Sequence, residues 1–245
     1  LTFTLTPEQP GIRLAEPVSG VPDNDNLVIR AAKGLAATTE NTLPGVTIHI
    51  HKRLPMGGGL GGGSSNAATT LLAMNRLWEL NLGEDQLAEI GLRLGADVPV
   101  FVRGHAAFGE GVGEKLTPTN PPEDWFLVLK PECNISTGKI FSAEGLTRDT
   151  PKIKIRPAFE GDASRYRNDC EDVVRKLYPE VNQSLEWLSQ FGPARLTGTG
   201  ACIFGRFPTE SAARIIWESK PSGITGFVAK GVNHSPLHKK LTELK

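Results

Sequence analysis

Between Pro55 and Asn66 the chain reads Pro-Met-Gly-Gly-Gly-Leu-Gly-Gly-Gly-Ser-Ser-Asn, with six of its 27 glycines inside seven positions. Backbone without Cβ atoms lets an anion approach closely, and a helix opening directly behind it adds free N–H groups and the positive end of a dipole. Gly57 to Gly63, Ser64 and Ser65 are therefore candidates to cradle phosphate. Ser64 or Ser65 capping the helix is the plainer reading of the two hydroxyls, and one does not exclude the other. Gly57, Gly59 and Gly62 satisfy G-x-G-x-x-G formally. The element after the following helix nevertheless reads as another helix, where a dinucleotide-binding unit needs a parallel strand. No lysine follows the glycines, so this is not a G-x-x-x-x-G-K-[ST] loop either. A second candidate is Asp97, in Leu94-Gly95-Ala96-Asp97-Val98-Pro99, a loop carboxylate able to accept a proton, with an ordinary turn aspartate as the alternative.

Several elements must hold these residues in place. Val46 to Ile50 alternates as a strand leading into the glycines. Ala67, Leu71, Met74 and Trp78 then fall at i, i+4, i+7 and i+11, one face of a helix, and Leu87, Ile90 and Leu94 mark a second helix that stops at Gly95. Val100-Phe101-Val102 reads as an apolar strand after Asp97. A polar turn at Asp23 to Asn26 opens a helix over 27–37, and Phe108 to Glu114 is a turn-rich hairpin region. Further on, Trp125 to Leu129 is a buried strand, Lys152 to Ile155 alternates, and helical patterns cover 168–177 and 181–191. Arg195 to Phe204 is a strand broken by a glycine turn; a helix near 211–219 and a strand near 227–229 complete a βαβ-like half. Two α+β lobes follow, parting near residues 120 to 135. The start, Leu1-Thr2-Phe3-Thr4-Leu5, alternates like a sheet edge already under way, so the natural beginning is expected upstream.

Composition narrows the class. The 245 residues carry 27 Lys+Arg and 27 Asp+Glu, which argues against non-specific nucleic-acid binding by counterion release. No apolar run reaches membrane-spanning length and no secretory leader is visible, so a cytoplasmic protein away from membranes is expected. Three distant cysteines, Cys133, Cys170 and Cys202, make a disulfide framework improbable. His49 with His51, and His234 with His238, lack a third ligand nearby, so no metal site is assigned.

The glycine run resembles the second signature of the GHMP kinase superfamily, and Leu196-Thr197-Gly198-Thr199-Gly200-Ala201 is similar to its C-terminal glycine motif. Leu94 to Pro99 and Asn168-Asp169-Cys170-Glu171 agree in order, so the resemblance spans Leu1 to about Leu237. It implies an α+β kinase with a ribosomal-protein-S5-like N-terminal lobe over 1–125 and a ferredoxin-like C-terminal lobe over 126–245, with substrate in the cleft between them. The implied reaction is ATP-dependent phosphorylation of a hydroxyl on a small molecule carrying a cytidine diphosphate group, in isoprenoid precursor synthesis, with Mg²⁺ carried by the nucleotide. A monomer or weak homodimer is expected.

Under that resemblance Pro55, Met56, Gly57, Gly58, Gly59, Leu60, Gly61, Gly62, Gly63, Ser64 and Ser65 wrap the ATP phosphates. Asn26 and Leu27 line the nucleotide pocket with Val18 beside them, and Lys52 lies on the adenine side. Asp97 acts on the substrate hydroxyl as base or orienting acceptor. Thr137 offers the substrate a hydroxyl, Phe141 stacks on cytosine, and Gly198 and Thr199 approach beside the phosphate path. The family's Pro-x-Lys-x-Asn motif, with its catalytic lysine, and its Gly-Tyr-His are expected upstream of Leu1. Another kinase of the superfamily, acting on homoserine or mevalonate, and a non-catalytic nucleotide sensor are the competing readings.

Overall fold

The structure is a computed structural model in which residues 1–151 and 167–243 are described. The alternating segment from Lys152 to Ile155 lies outside them. The chain forms two compact units: Leu1–Arg53, Gly61–Asn120 and Asn233–Lys245 make the first, Leu54–Leu60 and Pro121–Val232 the second. None of the described helices is long and apolar enough to cross a membrane.

In the first unit β1 (Thr2–Thr6) and β2 (Ile12–Leu14) flank β3 (Gly45–His49). β1 runs antiparallel to β3, with Phe3 opposite Ile48, and β2 runs parallel to it, with Ile12 opposite Val46. Helix α1 (Leu27–Ala36) starts where the Asn26 side chain accepts the Val28 N–H at 3.0 Å. The predicted stripe becomes α2 (Gly62–Leu77), whose Ala67, Leu71 and Met74 are fully buried with Val46 and Ile48 of the sheet. Trp78 closes α2, its indole N–H donating to the Pro44 carbonyl at 2.9 Å. Helix α3 (Glu84–Leu94) follows, its start held by Gln86 accepting the Gly83 N–H at 2.9 Å.

The segment read as a strand after Asp97 is a helix instead, α4 (Val98–Arg103). Pro99 suits a first helical turn, because its φ is already helical and its missing N–H has no intrahelical role there. Gly104, at φ +68°, ends the helix with its N–H on the Val100 carbonyl. Val98 and Val102, four apart, are both buried, and Arg103 pairs with Glu84 and Asp85 of α3 at 2.8 Å each. The three apolar residues Val100 to Val102 behind a proline fit strand and helix equally; the caps and the ion pairs decide. The hairpin β4 (Ala107–Glu110) with β5 (Lys115–Pro118) completes this stretch. A C-terminal helix that the sequence pattern did not announce, over Pro236–Glu243, also belongs to this unit; the Ala106 N–H donates to the Asn233 carbonyl just before it.

The second unit runs β6 (Trp125–Lys130), α5 (Thr137–Phe141), α6 (Asp169–Leu177), α7 (Pro179–Leu188), β7 (Ala194–Leu196), β8 (Ile203–Phe207), α8 (Glu210–Glu218) and β9 (Thr225–Lys230). The strands lie in the order β7-β8-β6-β9, every neighbouring pair antiparallel. Strands β8 and β9 therefore point the same way on either side of β6, joined through α8. This is the ferredoxin-like βαββαβ arrangement. Its core holds Leu127, Leu129, Ile140, Val174, Val181, Leu185, Leu188 and Ile203.

Candidate active site

Gly61, at φ +64°, occupies the cap position of α2, and no side chain caps the helix. Neither serine is therefore the cap: Ser64 and Ser65 lie in the first turn. The Ser65 N–H is the first to bond back, to the Gly61 carbonyl at 2.8 Å. The N–H groups of Gly62, Gly63 and Ser64 consequently lack intrahelical acceptors and present the positive helix end. Leu27 packs beside this turn, since a Cβ on Gly63 would sit 3.3 Å from its Cδ1. Gly95 is close as well, a Cβ there falling 3.9 Å from Ser64 Oγ. Two residues on, Asp97 is exposed and caps α4 in position only; among the described residues its carboxylate has no hydrogen-bond or ion-pair partner. An exposed carboxylate with no such partner does not brace the fold.

Residues 54–60 fold with the second unit. The Ala201 N–H donates to Gly57 O and the Cys202 N–H to Gly58 O, each at 3.2 Å, and the Thr197 hydroxyl reaches Gly58 O at 2.8 Å. Gly59 faces the same turn so closely that a Cβ would collide with the Thr197 carbonyl. Positive φ at Gly57, Gly59 and Gly61 alternates with ordinary backbone at 58 and 60, a pattern that turns successive N–H groups to one side. Cys202 is fully buried beneath Gly58, and burial pushes its thiol up to about 11 against the opposing pull of Lys130. It stays a thiol at neutral pH.

Thr137 and Thr199 meet through their hydroxyls at 2.9 Å, Thr199 being buried and Thr137 exposed at the first position of α5. Ser136 caps that helix and Phe141 ends it, a residue 56% exposed and so not part of the core. Arg148 donates to the Phe141 carbonyl at 2.7 Å. Gly198, at φ +49°, has its carbonyl held by Asn168 Nδ2 at 2.6 Å. Asn168 and Glu171 stood in a recognised motif without a role. They turn out to grip the turn after β7, Glu171 accepting the Leu196 N–H at 3.0 Å.

The remaining predicted residues are less engaged. Lys52 is exposed in the loop after β3, Met56 is exposed, Pro55 half-buried, and Val18 forms an isolated bridge with Val21. Asn26 spends its oxygen on capping α1. A cavity of about 440 Å³ in the first unit, walled by Thr38, Asn41, Pro44, Trp78 and Leu80, holds none of the predicted residues.

Residues 26–105 match the GHMP kinases N terminal domain, and residues 154–219 match GHMP kinases C terminal. The chain belongs to the GHMP kinase family. As a GHMP kinase it is a small-molecule kinase with ATP as substrate. A protein of Marinobacter nauticus named 4-diphosphocytidyl-2-C-methyl-D-erythritol kinase is 98% identical over 245 residues, all of this chain and 85% of that protein. One of the same name from Hahella chejuensis is 54% identical, covering all of this chain and 84% of its own length. The crystal structure of a 4-(cytidine 5'-diphospho)-2C-methyl-D-erythritol kinase superposes with a TM-score of 0.76 at 29% identity, over 94% of this chain and 84% of that one. The homoserine kinase of Cytophaga hutchinsonii, with a TM-score of 0.74 at 16% identity over 95% and 85%, shares this GHMP kinase fold.

Proposed function

We propose that this GHMP kinase transfers the γ-phosphate of ATP to the 2-hydroxyl of 4-diphosphocytidyl-2-C-methyl-D-erythritol, giving the 2-phosphate and ADP, in isoprenoid precursor synthesis in the cytoplasm. The observation that carries this reading is the 98% identity, over the whole chain, to a relative bearing that kinase's name. The residues present fit Mg-ATP: the first-turn N–H groups of α2 are open, two hydroxyls stand among them, and the Asp97 carboxylate has no protein partner among the described residues. When bound, Mg²⁺ supplies charge neutralisation at the transferring phosphate.

Gly62, Gly63 and Ser64 hold phosphate oxygens by their N–H groups, and Ser64 and Ser65 add hydroxyls. Pro55 to Gly61 close around the phosphates, with Asn26, Leu27 and Val18 beside the nucleotide and Lys52 on its adenine side. Asp97 takes the proton that the 2-hydroxyl loses as the new P–O bond forms, and solvent removes it after ADP departs. Phe141 offers a ring face to cytosine, while Thr137, Thr199 and the Gly198 backbone fix the substrate.

The test is ADP release by the full-length gene product with Mg-ATP and the cytidine-linked alcohol, beside Asp97→Asn. Release that needs the alcohol and is lost in the variant supports the reading. ATP bound without ADP formed, in the unaltered protein, rejects it in favour of a nucleotide sensor or another alcohol. Light scattering on the same sample decides between monomer and weak homodimer.

A further inference from the structure

The carboxamide of Asn168 is shared between two tasks. Its Oδ1 accepts the Cys170 N–H at 3.0 Å and so caps α6. Its Nδ2 donates to Leu196 O at 3.2 Å and Gly198 O at 2.6 Å, the two carbonyls that bracket Thr197. One acceptor and two donors are thereby satisfied, and the partners dictate which end of the amide is nitrogen. Glu171 on the same helix takes the Leu196 N–H at 3.0 Å, so the helix start grips the end of β7 through both halves of its backbone.

Within the gripped turn the Gly200 N–H donates to Thr197 O at 2.7 Å, the Thr197 N–H to Cys202 O at 2.9 Å and the Thr197 hydroxyl to Cys202 O at 3.2 Å. It carries two hydroxyls outward. Thr197 binds the Gly58 carbonyl of the glycine loop, and Thr199 binds Thr137. Gly198 lies between them, and its carbonyl is the one that Asn168 holds at the shorter distance.

We propose that Asn168 is a positioning residue for the phosphotransfer: by holding the carbonyls of Leu196 and Gly198 it fixes the 197–201 turn, and through it the Thr199 hydroxyl and the Gly58 segment of the phosphate loop. This rests on the kinase reading above. A residue that merely capped α6 would be replaceable by any good cap. Asp caps as well as Asn yet sets an anion against two carbonyls. Ser caps too, and is too short to reach Gly198. Asn168→Asp and Asn168→Ser therefore keep the helix and release the turn.

The full-length gene product is compared with Asn168→Asp, Asn168→Ser, Thr199→Val and the double variant Asn168→Ser/Thr199→Val, by hydrogen exchange and by steady-state kinetics. Exchange across 197–202 is expected to accelerate about tenfold while 169–177 is unchanged, since opening is local. For the alcohol, kcat/KM is expected to fall about 10- to 100-fold, the scale of a small misplacement of a binding group. The double variant is expected within about twofold of Asn168→Ser, because releasing the turn already forfeits the placed Thr199 hydroxyl. Unchanged exchange at 197–202 in the Asn168 variants, additive losses in the double variant, an Asn168 variant kcat/KM within twofold of the parent, or unfolding of both Asn168 single variants would each overturn the proposal. If the unaltered protein forms no ADP with this alcohol, the kinase reading fails by itself. The exchange data then still judge the grip on the turn: faster exchange upholds it, and unchanged exchange removes it.

Discussion

The Thr197 hydroxyl donates to the Gly58 carbonyl at 2.8 Å across 139 residues of chain, tying the glycine loop to the turn between β7 and β8. Thr197→Val removes the donor, keeps the shape and leaves the Gly58 carbonyl to the Cys202 N–H alone, the loss of one hydrogen bond worth about 0.5–1.5 kcal/mol. Unfolding in urea should register that loss. The KM for ATP should rise about 2- to 12-fold if the loop then strays from the shape proposed to bind phosphate by a similar energy. Thr197→Ser retains the hydroxyl and should restore most of both. A valine variant with parental ATP affinity would show that the loop holds its form without this bond.

Two glycines two positions apart should behave differently. Gly57 has φ +65° and open space where a Cβ would go, so Gly57→Ala costs only the left-handed backbone, about 1–2 kcal/mol. Gly59 has φ +69°, and its Cβ would collide with the Thr197 carbonyl and lie 2.8 Å from Thr197 Oγ1. Gly59→Ala should therefore lower Tm further than Gly57→Ala and weaken ATP binding more. Equal melting temperatures for the two variants would contradict the close approach.

These loop contacts mark where sequence reasoning stopped. Six clustered glycines followed by the Ala67, Leu71, Met74, Trp78 stripe announce a loop and a helix, because composition and periodicity are local signals. The same is true of the broken strand at 195–204, which became β7 and β8. Val100 to Val102 carried no such signal: three apolar residues have no period, and Gly104 with the Arg103 ion pairs made them helical. The C-terminal helix over 236–243 buries no residue completely, so it left no strong apolar stripe to read. Asn168 was visible as part of a motif, but its work on Gly198 spans 30 residues and exists only once β7 lies beside α6.

Phe141 should separate binding from folding. The residue is 56% exposed, so Phe141→Ala should change stability by no more than about 0.5 kcal/mol. Stacking on a base is worth about 1–3 kcal/mol, so the KM for the cytidine-linked alcohol should rise about 5- to 150-fold with kcat less affected. Phe141→Tyr should keep most of the affinity. An alanine variant with an unchanged KM for the alcohol would remove the ring from cytosine recognition and favour an alcohol without a nucleobase.

Cys202 makes stability depend on alkaline pH. An exposed thiol in the unfolded chain ionises near 9.0, whereas burial holds the folded one up to about 11. Between those values the unfolded state loses a proton that the folded state keeps, so unfolding becomes more favourable as pH rises. Below pH 9 both states are protonated and the group contributes no slope. Cys133 and Cys170 are raised by burial in the same sense, so Cys202→Ala should flatten the decline between pH 9 and 11 without abolishing it. Urea unfolding at several pH values measures the slope itself, which is insensitive to the packing lost with the sulfur. Identical slopes in parent and variant would contradict a buried, protonated thiol.

Asp97 combines exposure with the absence of any partner among the described residues, at the head of a helix it does not cap through its side chain. Such a carboxylate adds nothing measurable to the fold, so Asp97→Asn should leave Tm and the affinity for ATP as they are. The amide has the same shape and cannot take a proton from the substrate hydroxyl. General-base assistance is worth about 10²–10⁴ in rate, and kcat should fall by that factor while the KM for the alcohol moves little. Under the proposed function, positioning and charge neutralisation at the phosphates carry the rest of phosphoryl transfer, so residual turnover above background is expected. ADP release under single-turnover conditions isolates the chemical step from product departure. A fall of less than tenfold there would reduce Asp97 to an orienting acceptor, its proton leaving directly to phosphate or solvent.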